Sequence, residues 1–334
     1  MKKKTEIVRL SVCALGMIAL ILDSKTALSG CREGVTLCLN VVIPSLFPFF
    51  VLSVPLTQCL CGVRAPFASA LFRGLGVPSG CEGILLVGLL GGYPVGAQSV
   101  ETAWRSGCLD RKSAERMLAF TSFAGPSFLF GMTAACFPGK GYIWLLWAVH
   151  ILSAILIGWC YPGKNDTVGN TPAGKQGDLM VRAVSAMAKV CGWVIVFRVL
   201  LGFLTRWFLW LLPEEGQVLF SGILELTNGI LGLERIQNVG LRFVMGAGFL
   251  GFGGVCVTLQ AFSVAGALRK RHYLIGKLLH GTLSVILAYL LQAAVFPGQL
   301  RWSISPLPFL VCLMIPGFLY LFRKKGRYSR PVPV

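Results

Sequence analysis

Apolar blocks separated by short polar segments run through most of the chain. Each block holds roughly 16 to 26 residues, enough for an α-helix to cross about 30 Å of hydrocarbon. Blocks of this length predict membrane-spanning helices rather than strands or soluble amphipathic helices. The pattern predicts an all-α polytopic membrane protein with about eight spans, near residues 7–22, 35–60, 117–137, 141–161, 183–204, 241–266, 278–297 and 303–322.

A further apolar stretch, from Cys81 to Val100, is interrupted by glycines and a proline. Such residues free backbone groups that lipid cannot satisfy, so the segment must be buried in protein or face a wet cavity. It therefore predicts a re-entrant or discontinuous helix. The interrupting residues are Gly88, Gly91, Gly92, Pro94 and Gly96.

Composition agrees with a membrane protein. Only 13% of the 334 residues are charged and 55% are hydrophobic, whereas soluble domains carry about 25% charged residues. The net charge of +18 would suggest a nucleic-acid partner in a soluble protein. Here the basic residues cluster between apolar blocks, where they set topology and meet anionic headgroups. We expect the lipid bilayer as partner and no nucleic acid.

The basic segments predict the orientation, because cytoplasmic loops are enriched in Lys and Arg. They place both termini in the cytoplasm. The apolar run from Leu10 to Leu22 after a basic start imitates a signal peptide, but further spans follow, which favours an uncleaved first helix. The basic segments are Lys2–Lys4, Arg64, Arg73, Arg105–Arg116, Lys164–Arg182, Arg269–Lys277 and Arg323–Arg330.

The broken segment occurs twice. Gly88–Val95 aligns with Gly248–Val255, and the same offset places Arg111 over Arg271. Two related halves with glycine-broken segments predict a transporter with a site near the bilayer midplane; the alternative is chance similarity between tightly packed, glycine-rich helices. The divisions are a first membrane half 1–161, a polar linker 162–179, a second half 180–322 and a basic tail 323–334.

The symmetry of this repeat stays open. Basic loops follow both broken segments, and the positive-inside rule places both loops in the cytoplasm. An inverted repeat would place them on opposite sides of the membrane, whereas a parallel repeat would not.

Ionisable residues in apolar regions are costly and therefore functional candidates. Glu225 and Glu82 are candidates to bind a coupling cation or proton, unless both sit in water at headgroup level. Arg198 could meet an anionic solute or pair with a carboxylate, unless it snorkels to the headgroups. The predicted substrate-binding residues are Gly91, Gly92, Tyr93, Pro94, Gly96, Gln98, Ser127, Arg198, Glu225, Thr227, Asn228, Gly229, Gly251, Gly253, Gly254 and Gln260.

No chemical motif indicates an enzyme. The twelve cysteines include no CxxC pair and are interpreted as small buried hydrophobes. His150, His272 and His280 lack metal-ligand spacing, and no nucleophile or nucleotide-binding motif occurs. We expect no catalytic residue, metal or cofactor.

Four blocks of this sequence carry a resemblance: Val42–Phe50, Gly91–Ala97, Glu225–Gly229 and Gly251–Gly254. They resemble the YlbJ family of sporulation integral membrane proteins, which contains the nucleoside-recognition or Gate domain. The resemblance implies Gate-like halves and a role in spore maturation, with transport of a small organic anion such as dipicolinate across a forespore membrane, the outer one being a candidate. A nucleoside transporter and a non-transporting scaffold for spore envelope assembly are the alternatives, and a homo-oligomer is left open.

Overall fold

The computed structural model describes residues 2–64, 72, 74–161 and 178–295. Every regular element in this part of the chain is a helix, which confirms the all-α prediction. The chain begins with α1 (Lys2–Leu22) and α2 (Ser24–Leu37), which continues through a π-helical turn (Cys38–Val42) into α3 (Ile43–Leu60).

Prolines explain the irregular join between α2 and α3. Pro44 and Pro48 lack an N–H and cannot donate to the preceding turn. Between these prolines, the hydroxyl of Ser45 donates to the carbonyls of Val41 at 2.6 Å and Val42 at 3.2 Å. This serine hydroxyl is therefore satisfied within the protein, as lipid requires of polar groups.

The next helices of the first half are short until the last one. They are α4 (Glu82–Gly91), α5 (Val95–Arg105), α6 (Arg111–Met117), a π-helix (Ser127–Thr133) and α7 (Lys140–Cys160). Asp110 caps α6 by accepting from the amides of Lys112 and Ser113 at 2.8 and 3.0 Å.

The second half begins with a long helix, α8 (Leu179–Trp207). It is followed by a 3₁₀ turn (Leu209–Leu211), α9 (Glu214–Leu224), α10 (Leu226–Gly232), a second 3₁₀ turn (Leu233–Arg235), α11 (Val239–Phe252), α12 (Gly254–Val264) and α13 (Arg271–Val295).

Five helical segments of the described residues are long and apolar enough to cross a membrane: Ser24–Leu60, Lys140–Cys160, Leu179–Trp207, Val239–Val264 and Arg271–Gln292. The predicted segment 7–22 is helical, within α1. The predicted segment 117–137 forms no single helix, because α6 ends at Met117 and only a π-helix follows. The segment 303–322, most of the linker and the basic tail lie outside the described residues.

Small residues let the long helices pack closely. A Cβ added at Gly30 or Gly34 of α2 would lie 2.9 Å from the backbone of Val199 or Ile195 of α8. Because lipid is as apolar as leucine, such close backbone approach is a principal source of helix association in membranes. Elsewhere, large side chains of α1 such as Leu10 and Leu22 are exposed, as expected for a surface that faces lipid.

The two basic loops after the broken segments meet at one end of the molecule. Arg111 donates to the carbonyl of Ala267 at 2.9 Å, and Glu115 accepts from Arg111 at 2.9 Å and from the amide of Arg269 at 3.1 Å. Although burial opposes it, these hydrogen bonds hold the pKa of Glu115 below its ordinary value. The two loops therefore share one side of the protein.

Cysteines at this end depart from the expected pattern of isolated buried thiols. Cys61, just after α3, and Cys108, just after α5, form a disulfide with a Cα–Cα distance of 6.0 Å. The sulfur of Cys81 lies 3.9 Å from that of Cys108. Spacing could not reveal this pair, because the fold brings together positions 47 residues apart.

Candidate functional site

A cavity of about 70 Å³ lies between the first broken segment, α2–α3, α8 and the start of α10. A buried water needs about 10–15 Å³ of such space, so there is room for roughly five waters or one small organic solute. Its lining is mostly apolar with a few polar groups, as in many ligand sites. The lining residues are Val41, Val42, Ser45, Leu46, Gly91, Gly92, Tyr93, Gly125, Ser127, Phe128, Val190, Val194, Glu225, Leu226, Thr227, Val257 and Gln260.

The first break forms one wall of the cavity. α4 ends at Gly91, and Gly92 follows with φ 71° and ψ −168°, a conformation open essentially to glycine alone. A Cβ at Gly92 would lie 2.7 Å from the amide nitrogen of Gly125. The next peptide, Tyr93–Pro94, is cis, and α5 begins at Val95.

The second break lies behind the first. α11 ends at Phe252, and α12 begins at Gly254. Gly253 and Gly254 both have φ +80°. The hydroxyl of Tyr93 donates to the carbonyl of Leu250, and a Cβ at Gly253 would lie 3.4 Å from the Tyr93 ring. Tyr93 therefore joins the two broken segments directly.

Glu225 provides the charged side chain of the lining. It is 2% exposed and caps the N-terminus of α10. Its carboxylate accepts from the amides of Thr227 at 3.0 Å and Asn228 at 2.8 Å, and from Nδ2 of Asn228 at 2.8 Å. The helix N-terminus also favours a negative charge at this point. The predicted cluster Glu225–Asn228 is thus one capping unit on the cavity wall.

Glu82 has a different position. It is 4% exposed, and its Oε2 accepts from the amide of Gly80 at 2.7 Å in the turn before α4. It is absent from the cavity lining. Its visible contact is a local capping contact, and its proposed role in ion coupling stays a prediction.

Seven of the predicted substrate-binding residues line the cavity: Gly91, Gly92, Tyr93, Ser127, Glu225, Thr227 and Gln260. The other predicted residues lie outside the lining. Gly229 packs against Gly222, and Gly251 packs against α13, where an added Cβ would lie 2.7 Å from Ser284 Oγ. Arg198 pairs with Glu33 at 2.9 Å, away from the lining. Pro94, Gly96, Gln98, Asn228, Gly253 and Gly254 also lie outside the lining.

Sequence reasoning missed the contribution of α2–α3. Val41, Val42, Ser45 and Leu46 line the cavity at the π-helical turn. The signal was present, since the proline-rich block Val42–Phe50 carried the family resemblance, but it contains no ionisable side chain and Ser45 was not singled out as a site residue. Apolar wall residues of α8, such as Val190 and Val194, left no comparable signal.

Three buried basic residues make contacts that their positions in the sequence did not indicate. His150 and His280 stack with ring centroids 4.4 Å apart, although their separation in sequence indicated no cluster. Lys277, predicted to end a cytoplasmic basic loop, lies inside α13 and is 1% exposed. Helical packing decides both results, because α7 and α13 lie side by side.

Comparison with known proteins shows a similar membrane protein. The sporulation integral membrane protein YlbJ of Bacillus subtilis strain 168 is 26% identical to this chain, in a match that covers 78% of the chain and 76% of the relative. The similarity confirms the resemblance to the YlbJ family. No model of a protein family and no solved structure matches the chain. Together with five apolar helices, the relative supports an integral membrane protein.

Proposed function

We propose that this protein moves a small polar organic solute across the membrane by alternating access around the cavity. The observation that carries the proposal is the position of Tyr93, which lines the cavity at the first helix break and bonds to the second. Broken helices at membrane depth are tolerated where they line a cavity or are buried in protein. A pair of them is the structural pointer to a transporter site. This geometry supports a transport role.

The two broken segments form part of a proposed internal repeat of Gate-like halves. Both are helix pairs interrupted at a glycine with positive φ, and α5 packs beside α12. The loops that follow α5 and α12 contact each other. This contact supports a parallel rather than an inverted relation between the segments.

Dipicolinate is the first substrate to test, because the relative is a sporulation membrane protein. The charge of the lining sets a condition on the binding of dipicolinate. Its charged side chain is Glu225 and it includes no Lys or Arg, so a dianion would need a proton or cation between itself and that carboxylate.

A nucleoside is the second candidate. The lining offers hydrogen-bonding groups suited to a neutral polar solute, in Ser45, Ser127, Thr227 and Gln260. A neutral solute avoids the repulsion that Glu225 would exert on a dianion.

We propose the outer forespore membrane as the site of action, with both termini in the cytoplasm.

Uptake into proteoliposomes tests the proposal. Labelled dipicolinate and labelled uridine would be offered separately to vesicles that contain wild-type protein, Glu225→Gln or the exposed control Glu214→Gln. We expect uptake of one solute by wild type and control, and a loss of at least about tenfold in Glu225→Gln. The amide can neither accept a charge-assisted hydrogen bond from a nucleoside nor hold the proton or cation that a dianion would need.

Two results would contradict it. Absence of uptake of both solutes by correctly inserted wild-type protein would favour a membrane scaffold. Equal uptake by Glu225→Gln and wild type would remove Glu225 from the mechanism.

A further inference from the structure

Lys277 is a buried cation without a carboxylate partner in the described residues. It lies within α13 with 1% of its surface exposed. Its Nζ donates to the carbonyl of Ser122 at 2.8 Å and lies 4.6 Å from the centre of the Tyr93 ring. None of the salt bridges formed in this part of the chain includes Lys277.

The two histidines nearby do not supply a negative charge. The amide of Ala124 donates to Nε2 of His150 at 2.8 Å, so this nitrogen carries no hydrogen. Nε2 of His280 lies 3.0 Å from the carbonyl of His150 and must donate to it. His150 is therefore held as the neutral tautomer with hydrogen on Nδ1, which has no hydrogen-bond partner.

The other groups around Lys277 are neutral hydroxyls. Those of Tyr273 and Ser122 neighbour each other, and no hydrogen bond of ordinary length satisfies either one. In α6, packed against the start of α13, Glu115 pairs with Arg111, Arg116 bonds to the carbonyls of Gly76 and Tyr161, and Lys112 is exposed. The other helices that pack extensively against α13, which are α7 and α11, contain no Asp or Glu, so no carboxylate of these three helices neutralises Lys277.

An unpaired ammonium in such surroundings is costly in free energy. The cost is relieved when an anion comes to the amine or when the amine gives up its proton. Loss of the proton is a smaller change than binding of an anion, since it needs no space among side chains that are almost completely buried. The ring of Tyr93 attracts the ammonium form but not the neutral amine, so loss of the proton would weaken the contact between Lys277 and Tyr93.

Tyr93 connects this lysine to the cavity. Tyr93 lines the cavity, the face of its ring lies under Lys277, and its hydroxyl bonds to Leu250 at the second break. We propose that Lys277 is the proton-coupling site of the transporter, binding one proton from water on one side and releasing it on the other as Tyr93 moves between the two breaks. This inference rests on the proposed transport function.

The balance of the step is simple. The ammonium form loses H⁺ to water and becomes a neutral amine, and the amine later regains H⁺ from water on the opposite side. The proton gradient supplies the free energy, so no oxidant, reductant or second substrate is required.

Exchange and accumulation separate coupling from binding. Proteoliposomes with wild-type protein, Lys277→Gln, Lys277→Arg or the control Lys189→Gln, an exposed lysine of α8, would be assayed with labelled dipicolinate and with labelled uridine. One assay measures solute exchange at equal pH, and the other measures uphill accumulation driven by a proton gradient.

We expect wild type and Lys189→Gln to show both activities. Lys277→Gln cannot bind the proton and Lys277→Arg cannot release it, so both should lose about tenfold or more of the accumulation while they keep exchange. A lysine needed only for its positive charge would be rescued by arginine, which distinguishes a structural role.

The outcomes are distinct. Wild type without exchange or accumulation would refute the proposed transport function itself. Exchange without proton-driven accumulation in wild type would refute the coupling but leave transport intact. Proton-driven accumulation by Lys277→Gln or Lys277→Arg would refute Lys277 as the site, as would loss of exchange in both variants.

Discussion

The two helix breaks differ in what they place at the same position of the aligned segments. The first has Tyr93, which lines the cavity and whose hydroxyl reaches the second break. The second has Gly253, which leaves space for that ring. One break therefore provides a side chain and the other provides the room for it.

The cost of adding a side chain should differ between the breaks. Gly92→Ala would place its Cβ 2.7 Å from the backbone of Gly125 in a glycine-only conformation, whereas Gly253→Ala meets the Tyr93 ring at 3.4 Å. We expect a loss of stability on the order of 3 kcal/mol for Gly92→Ala and about 1–2 kcal/mol for Gly253→Ala. The apparent melting temperature in detergent would measure both.

Gly192→Ala is the control, because a Cβ there meets no atom within 4 Å. It should not destabilise the protein, because alanine without a clash is favoured over glycine inside a helix by up to about 1 kcal/mol. Equal losses in the variants at positions 92 and 253 would contradict the difference between the two breaks.

The ends of the two broken segments are also held differently. The first segment is joined to the end of α3 by the disulfide Cys61–Cys108. The second segment is joined to α6 by hydrogen bonds, such as that from the amide of Arg269 to Glu115. Cys61→Ser should destabilise oxidised protein by about 2–4 kcal/mol, with Cys13→Ser as an exposed control. Thermal melting with and without reductant would measure the loss.

This disulfide also tests the topology. Disulfides persist in oxidising compartments, whereas the basic loops beside it predict the cytoplasmic side. Thiol labelling from each side of the membrane, before and after reduction, would decide between them. Free thiols at both positions in membranes prepared under alkylating conditions would argue against the bond and for the cytoplasmic side.

Tyr93→Phe removes the hydrogen bond between the breaks but keeps the ring beside Gly253. The carbonyl of Leu250 loses its donor, so we expect a loss of about 1–2 kcal/mol. Tyr93→Leu should cost more, because the ring contacts with Gly253 and Lys277 also disappear. Melting temperatures of the two variants in one detergent would measure this order; a wild-type value for Tyr93→Phe would show that the hydroxyl does not join the breaks.

The smallest effect is expected far from the breaks, at Glu33. Its ion pair with Arg198 is half exposed, at 53% for the glutamate side chain. Pairs of this kind contribute about 0.2–1 kcal/mol, so Glu33→Gln should melt close to wild type. Solute uptake by Arg198→Gln sharpens the comparison: normal uptake is expected, and a strong loss would mean that Arg198 contacts the solute in another state of the transport cycle.

Much of the architecture was readable from local pattern. Apolar block length predicted the long helices because crossing hydrocarbon imposes a fixed minimum. Glycines at 92, 253 and 254 predicted the breaks because positive φ is strained for other residues. Glu225 was predicted as a site residue because a carboxylate in an apolar region needs an explanation.

The contents of the site were not readable in the same way. Several of its features bring together residues from distant helices. They are the cavity wall that includes Val41 and Leu46, the Lys277–Tyr93 contact and the stacked pair His150–His280. Each residue taken alone resembles an ordinary lipid-facing, loop or core residue. The Cys61–Cys108 pair was missed for the same reason.

By itself the sequence determined that the chain is a helical membrane protein with two glycine-broken segments, because bilayer thickness and backbone sterics act on consecutive residues. Only the tertiary structure decided that Tyr93 joins the breaks, that Glu225 caps α10 at a cavity and that Lys277 is buried behind Tyr93. These facts depend on the choice of helix neighbours, which packing between small residues sets and local pattern does not record.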